Sequence, residues 1–286
     1  MRAAALLAAL AAASPGLGPA EGWRLVVLGV AQDGGMPHLG CDSDRCAAAR
    51  AGEIPAQKVA CLGLVNRERG EAYLFDATPD LPAQVHALTG GRSPDGIFLT
   101  HAHVGHYTGL MYLGKESAAA RGVPVHASPR LAAFLRENEP WRSLVVDGHI
   151  ALSAVEPGDP VELPGGVEVS SIRVPHRDEL SDTVGYRIAG PRATALFVPD
   201  IDRWESWDRD IRALAGEVDL LLLDGTFGSA AELPNRDLSE IPHPLISHTR
   251  GLLRGTPARL LFIHLNHSNR EWDARDVARE GMELPL

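Results

Sequence analysis

Cysteine is scarce in this chain. Three residues among 286 are too few, and odd in number, for a disulfide scaffold. Positive charge is also thin: Lys+Arg is 27 against 37 for Asp+Glu, a formal charge of −10. No dense Lys/Arg run occurs, so no nucleic-acid partner is expected. No stretch reaches the ~20 apolar residues that cross a bilayer, so no membrane span is expected either. Serine-based acyl transfer lacks a G-x-S-x-G elbow. The glycine-rich stretch QDGGMPHLG has neither G-x-G-x-x-G nor a Walker lysine, which leaves a nucleotide site unsupported; it reads as a tight turn near the rim of a site. What is present is a folded composition, 45% hydrophobic and 22% charged, that excludes disorder and collagen-like repeats.

The start of the chain reads as a leader. Arg2 precedes the short apolar run AAALLAALAAA, and small residues with Ser14-Pro15-Gly16 follow. That pattern fits a secretory signal peptide cut after Ala13 or Ala20. The expectation is a leader over residues 1–20, one domain over 21–286, and an exported, periplasmic or extracellular protein.

Beyond it, short apolar runs alternate with turn signals. Strands are expected at 24–30, 58–65, 71–75, 96–100, 123–126, 167–174, 183–188, 193–198, 218–223 and 259–263. The second and third, joined by NRERG, read as a hairpin. Helices are expected at 81–88, 109–120, 130–137 (opened by Ser128-Pro129 as cap and first helical position), 208–215, 244–253 and from 271 onward. Paired strands followed by mixed strands and helices predict an α/β fold of two sheets with outer helices.

The histidines, twelve in all, are unevenly placed. FLTHAHVGHYTGL sets His101, His103 and His106 directly after an apolar strand. Residues two apart in an extended segment point to one side, so His101 and His103 can aim at a common point, and His106 follows as the chain turns. Imidazole is a zinc and iron ligand. Further candidates each end an apolar strand: His176 in SSIRVPH, Asp200 in ALFVPD, Asp224 in LLLLD and His264 in RLLFIH. Strand ends converging on one sheet edge are a usual place for a site.

As a set, these residues resemble the metallo-β-lactamase-fold superfamily, with its His-x-His-x-Asp-His run followed by a His, an Asp and a final His on later strands. The resemblance implies an αββα sandwich of two mixed β-sheets with outer helices. It implies that His101, His103 and His176 hold a primary metal, and that His106, Asp200 and His264 hold a second one or contact the substrate. Asp76, in YLFDATPD, matches the acidic residue that orients a ligand histidine, and Asp224 is expected to act likewise. Four stretches, VLGVAQDGGMPHLGC, FDATPDLPAQ, VDLLLLDGTF and FIHLNHSN, resemble the coenzyme PQQ synthesis protein B (PqqB) group. Two departures matter. Gly105 stands where the superfamily has an aspartate, so the second site is expected to be one ligand short. This chain also keeps the two leading histidines that the synthesis proteins tend to lack, and so reads as a metal-competent relative.

The resemblance implies Zn2+, one or two ions, with Fe2+ the alternative. The expected activity is a hydrolase in which metal-activated water attacks an ester, thioester, amide or phosphoester of a small-molecule substrate; no side-chain base stands out. Two other readings stay open: an iron-dependent oxidative enzyme or carrier like the PqqB group, and a non-catalytic secreted binding protein, favoured by the missing carboxylate at 105. Cys41 and Cys46 are expected to form a disulfide or to hold a structural zinc with His38. Cys61 reads as a buried small hydrophobe. His267 is a candidate substrate contact, Trp204 and Trp207 a pocket wall or helix-start packing, and His243 and His248 helix-packing residues.

Overall fold

The leucine- and valine-rich strands read as unbroken apolar runs because both of their faces are buried. The structure, a computed structural model, describes residues 22–234, 236–237 and 240–286; the expected leader over 1–20 lies outside them. In chain order the strands are β1 (Arg24–Gly29), β2 (Cys61–Asn66), β3 (Glu71–Phe75), β4 (Gly96–Phe98), β5 (Val123–Ala127), β6 (Ile150–Ala154), β7 (Pro160–Leu163), β8 (Val167–Val174), β9 (Thr183–Ala189), β10 (Thr194–Val198), β11 (Leu220–Asp224), β12 (Arg259–Ile263) and β13 (Glu283–Pro285). They form a seven-stranded sheet, ordered β13-β1-β2-β3-β4-β5-β6, and a six-stranded sheet, ordered β12-β11-β10-β9-β8-β7. The helices are α1 (Asp44–Arg50), α2 (Leu81–Thr89), α3 (Val104–Tyr107), α4 (Pro129–Glu137), α5 (Trp141–Val146), α6 (Ile211–Ala215) and α7 (Ile246–Leu252).

Strand alternation sorts the core into three layers. In β1, Leu25 and Val27 face the space between the sheets, where they join Leu62, Phe75, Phe98, Ile188, Phe197, Leu222 and Leu261. Val26 and Leu28 face outward and pack with Leu81 and Leu88 of α2, Leu131 and Leu135 of α4, and Leu144 of α5. Behind the second sheet, Leu196, Val198, Leu221 and Leu223 pack with Ile211 and Ala215 of α6 and with Trp204 and Trp207. The result is the four-layered αββα sandwich that the resemblance implies. Among the described residues no helix is long and apolar enough to cross a membrane.

Two expected helices differ. Over 109–120 the chain forms a 3₁₀ turn at Thr108–Leu113 that stops at an extended Gly114. Gly109 lies so close to the Thr78 carbonyl that an added Cβ would come within 1.9 Å of its oxygen, so packing overrides helix propensity here. The segment after 271 is not helical. Phe262 of β12 hydrogen-bonds to Asp276 and Ala278 on either side, and β13 pairs antiparallel with β1; sheet edges claim the backbone.

The topology also fixes where chemistry collects. β3 and β4 are parallel, as are β10, β11 and β12; β8 joins that direction through two antiparallel pairings by way of β9. Their C-terminal ends therefore open on one edge, the usual position of a binding crevice in such sheets.

Candidate metal centre

Every strand-end residue singled out above sits at that edge. Asp76 follows β3, the histidine run follows β4, His176 follows β8, Asp200 follows β10, Asp224 ends β11 and His264 follows β12. Asp76 and His264 hold left-handed backbones, with φ of 72° and 66°, a conformation uncommon outside glycine and often found at functional sites. Hydrogen bonds from Asp76 N to Phe98 O (2.8 Å) and from Leu265 N to Val30 O (2.8 Å) lock both turns.

His101, His103, His176 and Asp200 form the first group, each offering one ligand atom, all within 4.8 Å of one another. His101 Nε2 lies 2.9 Å from His103 Nδ1 and 3.4 Å from Asp200 Oδ2. His176 Nε2 lies 3.2 Å from the same oxygen. The outer ring nitrogens are tied down. The Thr100 hydroxyl donates to Asp76 Oδ1 (2.9 Å) and faces His101 Nδ1 at 2.9 Å, so it accepts the proton of that nitrogen. Asp202 Oδ1 accepts from His176 Nδ1 at 2.8 Å. Both partners leave Nε2 directed inward, the orientation a metal ligand requires.

The second group gathers His106, His264 and Asp33. Asp76 Oδ2 accepts from His106 Nδ1 at 2.7 Å, and Thr226 Oγ1 faces His264 Nδ1 at 3.1 Å. Their Nε2 atoms lie 3.9 and 3.8 Å from Asp200 Oδ2, so Asp200 stands between the two groups. Asp33 belongs to the glycine-rich loop after β1, read from sequence only as a rim turn. Its Oδ1 is 3.4 Å from His106 Nε2 and 4.0 Å from His264 Nε2.

His243 was missed. The sequence suggests helix packing for it, but its Nδ1 meets Asp224 Oδ2 at 2.9 Å and Asp200 Oδ1 at 3.2 Å. This also corrects the role expected for Asp224. It binds His243, with further bonds from Thr226 N (2.8 Å) and Ile201 N (3.2 Å), rather than a histidine of the original set. A cleft of about 250 Å³, lined by Arg203, Glu205, Ile241, Pro244 and His248, opens beside His243. His248 pairs with Glu205 there, Nε2 to Oε1 at 2.6 Å. Trp204 and Trp207 are buried packing residues, and Trp204 Nε1 donates to Thr249 Oγ1 at 2.8 Å.

The electrostatics divide the rings. Burial, helped by neighbouring His106, pushes His101 well down, and burial also lowers His103. Burial opposes the charged form of His106 too, but Asp76 and Asp33 outweigh it and raise that ring well above the ordinary range. The same contest ends with His176 raised to about 9, chiefly by Asp200, and His243 raised to about 10 by Asp224 and Asp200. For Asp200, burial raises the pKa, but His264, His243 and His176 hold it well below the usual carboxylate range. For Asp33, burial is likewise outweighed, by His106 and His264, and its pKa falls.

The remaining candidates lie together. Cys41 and Cys46 are paired as a disulfide. His267 Nδ1 lies 3.1 Å from Cys41 Sγ, and its ring stacks on His38 at 4.5 Å. His267, expected to touch substrate, thus has its contacts in this cluster. The three residues Cys41, Cys46 and His267 also have the spacing of a metal-holding group. Cys61 is buried.

A family model described as the β-lactamase superfamily domain matches residues 71–265. The chain is 24% identical over 294 residues to a coenzyme PQQ synthesis protein B from Ruegeria pomeroyi, covering 91% of this chain and 97% of that one. It is 26% identical over 297 residues to the protein of that name from Rhodopseudomonas palustris strain TIE-1, covering 91% and 94%. Among solved structures, a Zn2+-bound PqqB from Methylobacterium extorquens superposes with a TM-score of 0.77 at 22% identity, covering 92% of this chain and all (100%) of that one. A diphosphatase from the PhnP family superposes with a TM-score of 0.69 at 21% identity, covering 92% and 96%.

Proposed function

The chain belongs to the β-lactamase superfamily, and on that premise we propose that it is a zinc-dependent hydrolase of small molecules carrying an ester, thioester, amide or phosphoester. One observation carries the reading. Nε2 of His106, His176 and His264, with Oδ1 of Asp33 and of Asp200, are buried without a hydrogen-bond partner, and all belong to one cluster. Each unsatisfied buried polar atom costs about 1–3 kcal/mol, so five together are accounted for by cations held in the two groups to which these residues belong. The donor set, imidazole and carboxylate, suits zinc.

When bound, zinc lowers the pKa of a coordinated water from ~15.7 to about 7 and polarises a carbonyl or phosphoryl oxygen. The chain's own residues do the positioning. His101, His103 and His176 hold the ion, Asp200 supplies the carboxylate between the two groups, and Thr100, Asp76, Asp202 and Thr226 fix the ring tautomers. His243, hydrogen-bonded to Asp224, stands beside Asp200 and forms the wall between the centre and the cleft that receives substrate. Metal analysis of purified protein should give at least about one zinc per chain, and chelator should abolish hydrolysis across an ester, phosphoester and lactam panel. Less than about one ion per two chains rejects the metal; a full complement with no turnover rejects the hydrolase.

A second reading is favoured by the likeness to the synthesis proteins along nine-tenths of the chain. Three nitrogens with open positions also suit Fe2+ and oxygen activation. Oxygen uptake by iron-loaded protein, with no hydrolysis by zinc-loaded protein, selects it. The non-catalytic reading loses its main support, because Asp33 brings a carboxylate to the place beside Gly105. From the pattern over 1–20 we also propose export, which agrees with a Cys41–Cys46 disulfide; a secreted product whose sequence starts at Met1 refutes it.

A further inference from the structure

We infer that Asp33 replaces the aspartate missing from the histidine motif and is a ligand of a second cation, together with His106, His264 and Asp200. The inference rests on the metal reading above and adds a binding residue from outside the stretch, 71–265, that the family model matches.

The case begins with space. A Cβ placed on Gly105 would lie 2.3 Å from Asp33 Oδ1 and 2.7 Å from Asp33 Cα. Real atoms do not approach so closely, so a side chain at 105 and the observed Asp33 exclude each other. The glycine is therefore not a simple loss. It is the clearance through which a carboxylate from the loop after β1 reaches the place beside His106. The φ of Gly105 is not among the positive ones, so backbone conformation does not demand glycine there; the approach of Asp33 does.

The second strand of argument is delivery. The loop that carries Asp33 is bonded to the residues just after His264. Gln32 N donates to Leu265 O (2.8 Å) and Leu265 N to Val30 O (2.8 Å), and Asn266 Nδ2 donates to Gln32 Oε1 (2.5 Å). Residues 33 and 264 are thus held in register by the backbone itself. The third is chemistry. Asp33 Oδ1, His106 Nε2 and His264 Nε2 are all buried and without a hydrogen-bond partner, and the three residues offer ligand atoms within 4.8 Å of one another. One carboxylate and two imidazoles, with the Asp200 carboxylate beside them, make an ordinary zinc donor set.

The test is metal stoichiometry on full-length protein dialysed against Zn2+, read by mass spectrometry of the bound metal, with cobalt substitution as a spectral check. Wild type is expected to hold about two ions per chain, and Asp33→Ala and Asp33→Asn about one, with the first site retained. Asn keeps the shape of the side chain and so separates loss of a ligand from loss of folding, which melting curves also monitor. The exchange Asp33→Gly with Gly105→Asp is expected to recover the second ion. If wild type and Asp33→Asn bind the same number of ions with unchanged affinity, the inference falls while the metal reading stands. If wild type binds none, the metal reading itself falls. Loss of both ions in a folded Asp33→Asn protein also overturns the inference, since it would place Asp33 at the first site.

Discussion

The group around His101, His103 and His176 and the group around His106, His264 and Asp33 meet at one carboxylate, that of Asp200, but they are assembled differently. Two imidazoles of the first come from one extended tripeptide, His101-Ala102-His103, where a two-residue period suffices to aim them together. The second draws on the start of a helix, the end of β12 and a loop after β1, and none of these is near another in sequence. A site written in one local segment is visible before folding. A site assembled across the two sheets exists only once the loop after β1 meets the residues after β12, as in the bridge between Ala31 and Leu265. The contrast also extends to electrostatics: burial lowers the pKa of His101 and His103, whereas Asp76 and Asp33 raise that of His106.

Four experiments probe this comparison. The largest effect is expected for Asp200→Ala, which removes the residue common to both groups. Metal from both, and hydrolysis with it, should fall by more than about 100-fold, beyond the ~10–100-fold cost of losing an orienting partner; retention of one tight ion would show that the groups are independent. Next, chelation should lower stability by about 2.7 kcal/mol for each site previously held at 100 times its Kd. Zinc should restore the melting temperature, and a melting curve indifferent to chelator breaks the link between the centre and the fold. Third, Asp76→Ala and Asp202→Ala should each cost ~10–100-fold in metal affinity, but in different groups. Asp76 orients His106 directly and His101 only through Thr100, whereas Asp202 orients His176, so titration should show the main weakening at different ions; identical profiles would mean that the groups behave as one. The smallest effect is expected for Thr100→Val, which removes one hydroxyl bridging Asp76 and His101. A loss of about 1 kcal/mol in urea denaturation, with a modest weakening of the first ion, is the expected outcome.

Much of the fold was readable because strand, turn and cap signals are local. The hairpin of β2 and β3 follows from two apolar runs around a polar turn, and Ser128 caps α4 by accepting from Leu131 N. The site candidates were readable because each apolar run ends abruptly on a histidine or aspartate, as in LLFIH and ALFVPD. What stayed hidden depends on distance in the chain. Asp33 ends the run LVVLGVAQD, the same kind of signal, but the glycines after it read as a turn. His243 lies in a loop with no motif, and only the fold brings it to Asp224. Asp202, Thr100 and Thr226 are polar neighbours of candidate residues, and their hydroxyls and carboxylate acquire meaning only when ring orientations are known. The helix expected over 109–120 is cut to a 3₁₀ turn that ends at extended Gly114, in a segment packed closely on Thr78 through Gly109.

The division of the centre between the two sheets has a mechanical meaning. Asp33, Asp76, His101, His103 and His106 hang from the first sheet, and His176, Asp200, Asp224 and His264 from the second. An ion gripped by both acts as a rivet through the seam of the sandwich. Any slippage of one layer over the other stretches its bonds, and any tightening of those bonds stiffens the whole body. Metal binding and rigidity in this molecule are therefore set at the same joint.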